Sequence, residues 1–159
     1  MTAAHVYGDY RKKTGGRGEL LRGTELVVRP RVEVLEEDRR RDFALVRIGD
    51  LRGGPFLKIS SSGDMHAKEV YSLLGYPIRL KERWPRRLTA AISTGQLKED
   101  WKDISEVGRR AVGGRVWSGF SGGPVISNQK EVVAIILSTS LSFTETDYAE
   151  VLPVWGRRK

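Results

Sequence analysis

Short apolar segments set the pattern of this chain. Leu26-Val27-Val28, Val32 to Leu35, Phe43 to Ile48, Phe56 to Ile59, Val70 to Leu74, Leu88 to Ile92 and Val132 to Leu137 are rich in Val, Ile, Leu and Phe. Most are bounded by Gly, Pro, Ser or Asp, as strands of a sandwich or barrel are. Within Glu25 to Glu33 the residues Leu26, Val28, Pro30 and Val32 share one parity, and Ala44, Val46 and Ile48 do so after Asp42. Alternation places each set on one face of a sheet. Turn signals at Thr14-Gly15-Gly16, Gly53-Gly54-Pro55, Ser62-Gly63-Asp64 and Ser127-Asn128-Gln129 separate the segments. Lys98 to Arg110 carries mixed charge, and Gly108 and Gly113-Gly114 stop a long helix there, so it reads as a loop with short helical turns. The pattern predicts an all-β domain.

Composition narrows the chemistry. A length of 159 residues suits one domain with a real core. No apolar run reaches the roughly 18 residues of a membrane span. With no cysteine, disulfides, thiol nucleophiles and thiolate metal sites are excluded. The two histidines, His5 and His66, lie far apart and outside any metal-binding spacing, so neither a metal nor another cofactor is expected. The formal charge of +8 is scattered through Arg11-Lys12-Lys13, Arg39-Arg40-Arg41, Arg86-Arg87, Arg109-Arg110 and Arg157-Arg158-Lys159. No nucleic-acid motif accompanies these clusters. They read as a solvated basic surface, with nucleic acid not an expected partner.

Gly119-Phe120-Ser121-Gly122-Gly123-Pro124 is the segment with chemical promise. A serine hydroxyl needs a base to take its proton and donors to hold the oxyanion it creates. Glycines at 119, 122 and 123 permit a turn that projects Ser121 while the amides of Gly119 and Ser121 converge. Pro124 then opens an apolar strand. The same string also satisfies every local rule for a plain turn between strands.

Two further motifs decide between these readings. Thr2-Ala3-Ala4-His5, Asp42-Phe43-Ala44-Leu45-Val46 and Gly119 to Pro124, in that order, resemble the TAAH box, the D-L-A-L-[LIV] strand and the GxSGGP loop of trypsin-like serine peptidases. The similarity is greatest to their cysteine-free bacterial branch, the Deg-type proteases. Weaker likeness extends through Tyr71 to Pro77, Leu88 to Gln96, Val132 to Leu137 and Tyr148 to Pro153, although Lys130-Glu131 and Ala134 replace the family's glycines. The resemblance implies a chymotrypsin-like double β-barrel, with an incomplete first barrel over about 1–64 and a second over about 65–159. It implies His5 as general base, Asp42 as its orienting carboxylate, Ser121 as nucleophile, and the Gly119 and Ser121 amides as oxyanion hole. The substrate strand would be Leu137, Ser138, Thr139 and Ser140, pairing with an extended peptide or protein substrate. His5 could instead be a lone terminal histidine, and Asp42 could simply pair with the preceding arginines. His66 follows the aspartate and reads as structural or neutral.

Two positions depart from the digestive members. Phe120 stands where trypsin has an aspartate that pairs with a new N-terminus on activation. Arg115 stands at the usual pocket floor, where it either receives an acidic side chain or faces solvent. In the family the TAAH box follows opening strands that have no sequence here, so the N-terminal barrel is expected to lack them. The resemblance then implies a serine endopeptidase, weak or inactive at this length. The alternative is a non-catalytic peptide-binding or interaction module on the same fold. As it stands the sequence reads as cytoplasmic, although a signal preceding Met1 would change that.

Overall fold

The computed structural model describes residues 1–14, 20–22, 25–28, 32–49, 56–77, 90–138 and 146–154. The chain opens with β1 (Thr2–Ala3) and α1 (Ala4–Thr14), then β2 (Leu20–Arg22), β3 (Glu25–Val28), β4 (Val32–Asp38), β5 (Phe43–Ile48) and β6 (Lys58–Ile59). It continues with β7 (Tyr71–Gly75), β8 (Ala91–Gly95), β9 (Arg110–Val116), β10 (Pro124–Ile126), β11 (Glu131–Ser138) and β12 (Thr146–Pro153). Strands therefore dominate, as the alternating pattern requires. The helix α1 was not legible in that pattern. It starts within the TAAH box, and its apolar face is narrow, with Ala4 and Tyr7 buried against Ala44.

A three-stranded sheet runs in the order β1-β5-β4. Along β4, Val32 and Val34 are half-buried while Glu33, Leu35 and Glu37 are exposed, so the period-two reading holds. The antiparallel pair β2-β3 forms a separate small sheet. The larger, seven-stranded sheet runs β8-β7-β10-β11-β12-β9, with β6 alongside β11. It curls nearly shut. The segment after β8 bonds to β9 through Gly113 N to Gln96 O (2.7 Å) and Lys98 N to Ala111 O (2.9 Å). Glycine makes that seam possible, because a Cβ on Gly95 would overlap the Gly113 carbonyl. Gly113-Gly114 thus lies within a strand, and Asp103 shapes the preceding loop by accepting from the amides of Ser105, Val107 and Arg109.

The run Val132 to Leu137 is apolar throughout because β11 is covered on both sides. Ala134 and Ile136 face the barrel interior with Tyr71, Leu73, Val112, Phe120 and Val151. Val132, Ile135 and Leu137 face Ala3 and the half-buried Phe43 of the smaller sheet. Strands buried on both faces lose the alternating signature. Tyr71 is fully buried, and burial pushes its phenol up to about 12. Its hydroxyl accepts from the His66 amide (2.6 Å) and donates to Glu69 (3.0 Å). His66 therefore serves through its backbone while its ring stays exposed, in line with the structural reading.

Candidate active site

Asp42 closes the hairpin between β4 and β5. Its φ of 56° lies in the left-handed region, which Asp tolerates better than most residues. From there it takes hold of the start of α1. The Asp42 carbonyl accepts from the Ala4 amide (3.0 Å), Asp42 Oδ1 from the His5 amide (2.9 Å), and Asp42 Oδ2 lies 2.7 Å from His5 Nδ1. One residue thus satisfies two amides that a helix start leaves open and fixes the imidazole as well.

The charges follow this geometry. The hydrogen bond to Asp42 raises the His5 imidazole above its ordinary 6.5, against partial burial and with help from the charges of Asp42 and Asp9. For Asp42, burial works upward, but the ring and amide of His5 and the charges of His5 and Arg109 hold the carboxyl below its ordinary value. The folded chain holds the His5 proton more tightly than the unfolded one. The contribution of that linkage to stability is full below pH 6.5 and fades as pH rises through the raised folded value. An NMR titration of the His5 ring is expected to show a midpoint above 6.5, moving down in Asp42→Asn. An unchanged midpoint in that variant would remove Asp42 as the cause.

The Gly119–Pro124 loop is built on the barrel core. Phe120 is fully buried, its ring centroid 5.5 Å from that of Trp117, and a Cβ on Gly75 would come 2.6 Å from its Cγ. Gly119 and Gly122 have φ values of 101° and 81°, the left-handed turning foreseen for them, whereas Gly123 has no positive φ and is a glycine because a Cβ there would overlap the Leu74 carbonyl. Gly122 N donates to Ile136 O (2.7 Å) and Ile136 N to Gly123 O (2.8 Å), tying the loop to β11. Among the described residues the amides of Gly119 and Ser121 donate to no backbone acceptor. Phe120→Ala is expected to cost about 3–5 kcal/mol of stability by emptying this position. Urea denaturation checks it, and a loss below about 1 kcal/mol would mean that the loop is anchored elsewhere.

The sequence-derived residues fall into place unevenly. His5 and Asp42 are in direct contact, and Ser121, half-buried, precedes Gly122, which packs on Thr2. Leu137 is buried in β11, and Ser138 pairs with Glu150 across a bulge. Past Ile136 the β10 side of β11 has no described partner strand, while Thr139 and Ser140 lie outside the described residues. Arg115 is exposed on β9, which fits the solvent-facing alternative. A cavity of about 410 Å³ opens beside His5, walled by Gly8, Asp9 and Lys12 of α1 and by Glu37 and Arg39 of the hairpin. A larger one, about 780 Å³, lies between residues 62–66 and the 101–110 loop and touches none of His5, Asp42 and Ser121. Asp9 and Arg109 were missed. Asp9 follows His5 by one helical turn, so recognising α1 would have found it, whereas Arg109 pairs with Glu150 and its charge acts on Asp42 only through the tertiary fold.

Known proteins align with this arrangement. The sequence profile described as the trypsin-like peptidase domain matches residues 1–135. Two structures of the HtrA-type protease AlgW with a decapeptide superpose with TM-scores of 0.58 and 0.68, each at 16% identity. They cover 77% and 96% of this chain, which spans only 36% and 43% of theirs. No curated protein matches the chain. The architecture of strands and near-closed barrel is the chymotrypsin-like fold of these neighbours.

Proposed function

This chain belongs to the trypsin-like peptidase family, and from that premise we propose that it is a serine endopeptidase acting through Ser121, His5 and Asp42. The observation that carries the reading is the 2.7 Å contact between His5 Nδ1 and Asp42 Oδ2, on a helix that directly follows the strand touching the Ser121 loop. Ser121 Oγ attacks the scissile carbonyl as the imidazole takes its proton, Asp42 stabilises the imidazolium, and the Gly119 and Ser121 amides hold the oxyanion. The proton then passes to the leaving amine, and water repeats the sequence on the acyl-enzyme. A peptide adds as a strand along Leu137, Ser138, Thr139 and Ser140, beginning where β11 runs past its last pairing with β10. The neighbours are structures with a decapeptide, which supports a peptide as the ligand.

A fluorophosphonate probe tests the proposal, since it reacts only with an activated serine. Covalent mass should appear on the Ser121 peptide of the folded chain. Folded protein that stays unlabelled would leave a peptide-binding module on the protease fold in place of an enzyme.

A further inference from the structure

The TAAH box supplies more than a base. β1 is held on two sides: its backbone pairs Thr2 with Ala44 and Ala3 with Phe43, while the Ala3 side chain is buried against Ile135 and Leu137 of β11. Thr2 meets the other sheet directly. A Cβ on Gly122 would overlap Thr2 Oγ1, and it would lie 3.6 Å from both Thr2 Cβ and Ala3 N. The residue next to the nucleophile thus rests against the strand that leads into the base.

We propose that Thr2 is a positioning residue whose branched side chain, seated on Gly122, sets the spacing between His5 and Ser121. The inference rests on the serine-peptidase reading. Its physics is steric. His5 is fixed to the smaller sheet by Asp42, and Ser121 to the larger barrel by Phe120 and by the Gly122 and Gly123 bonds to Ile136. Between the two stands the van der Waals contact of Thr2 with Gly122, with Ala3 behind it. A side chain at 2 that is too small lets the loop settle toward β1, and one that is too large drives it away. A shift of about 1 Å between reacting groups costs on the order of a hundredfold in rate. The absence of a Cβ at 122 is then a matching requirement as well as a response to its φ of 81°.

Thr2→Gly, Thr2→Leu and Thr2→Val separate spacing from polarity and from folding. Second-order fluorophosphonate labelling and kcat on a peptide substrate should fall on the order of a hundredfold in the Gly and Leu variants, with KM nearly unchanged. Val, which keeps the branch at Cβ, should restore most of the rate. A general stability defect would instead lower the folded fraction, so thermal melts run in parallel, and rates are compared at matched folded protein. The proposal is overturned if Gly and Leu react at the wild-type rate, if Val is as slow as they are, or if the loss vanishes once folded fraction is matched. Absence of labelling in the wild-type chain would remove the serine-peptidase reading and this inference with it; a labelled wild type with indifferent variants would remove this inference alone.

Discussion

Ser121→Ala is expected to lower peptide-bond hydrolysis by on the order of 10⁶-fold without lowering stability. The hydroxyl is the only group at that position able to form the acyl bond, and its loss leaves just the oxyanion donors and substrate binding to act on water. Stability should hold because the loop is anchored on either side of the serine, by buried Phe120 and by the Gly122 and Gly123 bonds to β11. Casein hydrolysis with both proteins at equal folded concentration is the measurement. Residual activity within tenfold of the wild type would mean that hydrolysis arises elsewhere.

Asp42→Asn should reduce kcat by about 10⁴-fold with little change in stability at a pH above the His5 midpoint, where the protonated imidazole no longer contributes, and Asp42→Ala should lose both. An asparagine oxygen can still accept from the His5 amide, and asparagine tolerates the left-handed φ of 56°. Its amide NH₂ opposes the Nδ1–H that the base requires, so the ring turns or adopts the wrong tautomer. Alanine removes the bond to the His5 amide as well, worth about 0.5–2 kcal/mol at a helix start, and fits the positive φ poorly. Paired melts and steady-state kinetics distinguish orientation from capping. Equal activities for Asn and Ala with a large shared loss of stability would show that Asp42 acts through the helix alone.

Much of the architecture was legible because sheet faces write themselves into sequence with period two. The half-buried Val32, Val34, Val46 and Ile48 are where alternation puts them. The glycines at 119 and 122 were legible as left-handed positions for the same reason: few other residues adopt that backbone. The helix on His5 was not, because α1 buries only a narrow face and is held largely by a carboxylate from another part of the chain. Nor was the closeness of Thr2 to Gly122, a contact between remote segments made by a glycine's missing side chain, or the closure of the barrel at Gly95 and Gly113. Such features depend on what the glycine faces, which local sequence does not record.

The capping of α1 by Asp42 also has a kinetic side. His5 and Asp42 are 37 positions apart, and Thr2 and Gly122 are separated by most of the chain. Contacts of that span bear a large loop-closure entropy and form after local hairpins. On the proposed reading, synthesis makes His5 before either partner, so its ring stays unoriented until the β4–β5 hairpin folds back and meets Ser121 only after residue 121 has emerged. The segment from Asp42 to Ser121 is, on that reading, therefore made before any serine centre exists to cut it.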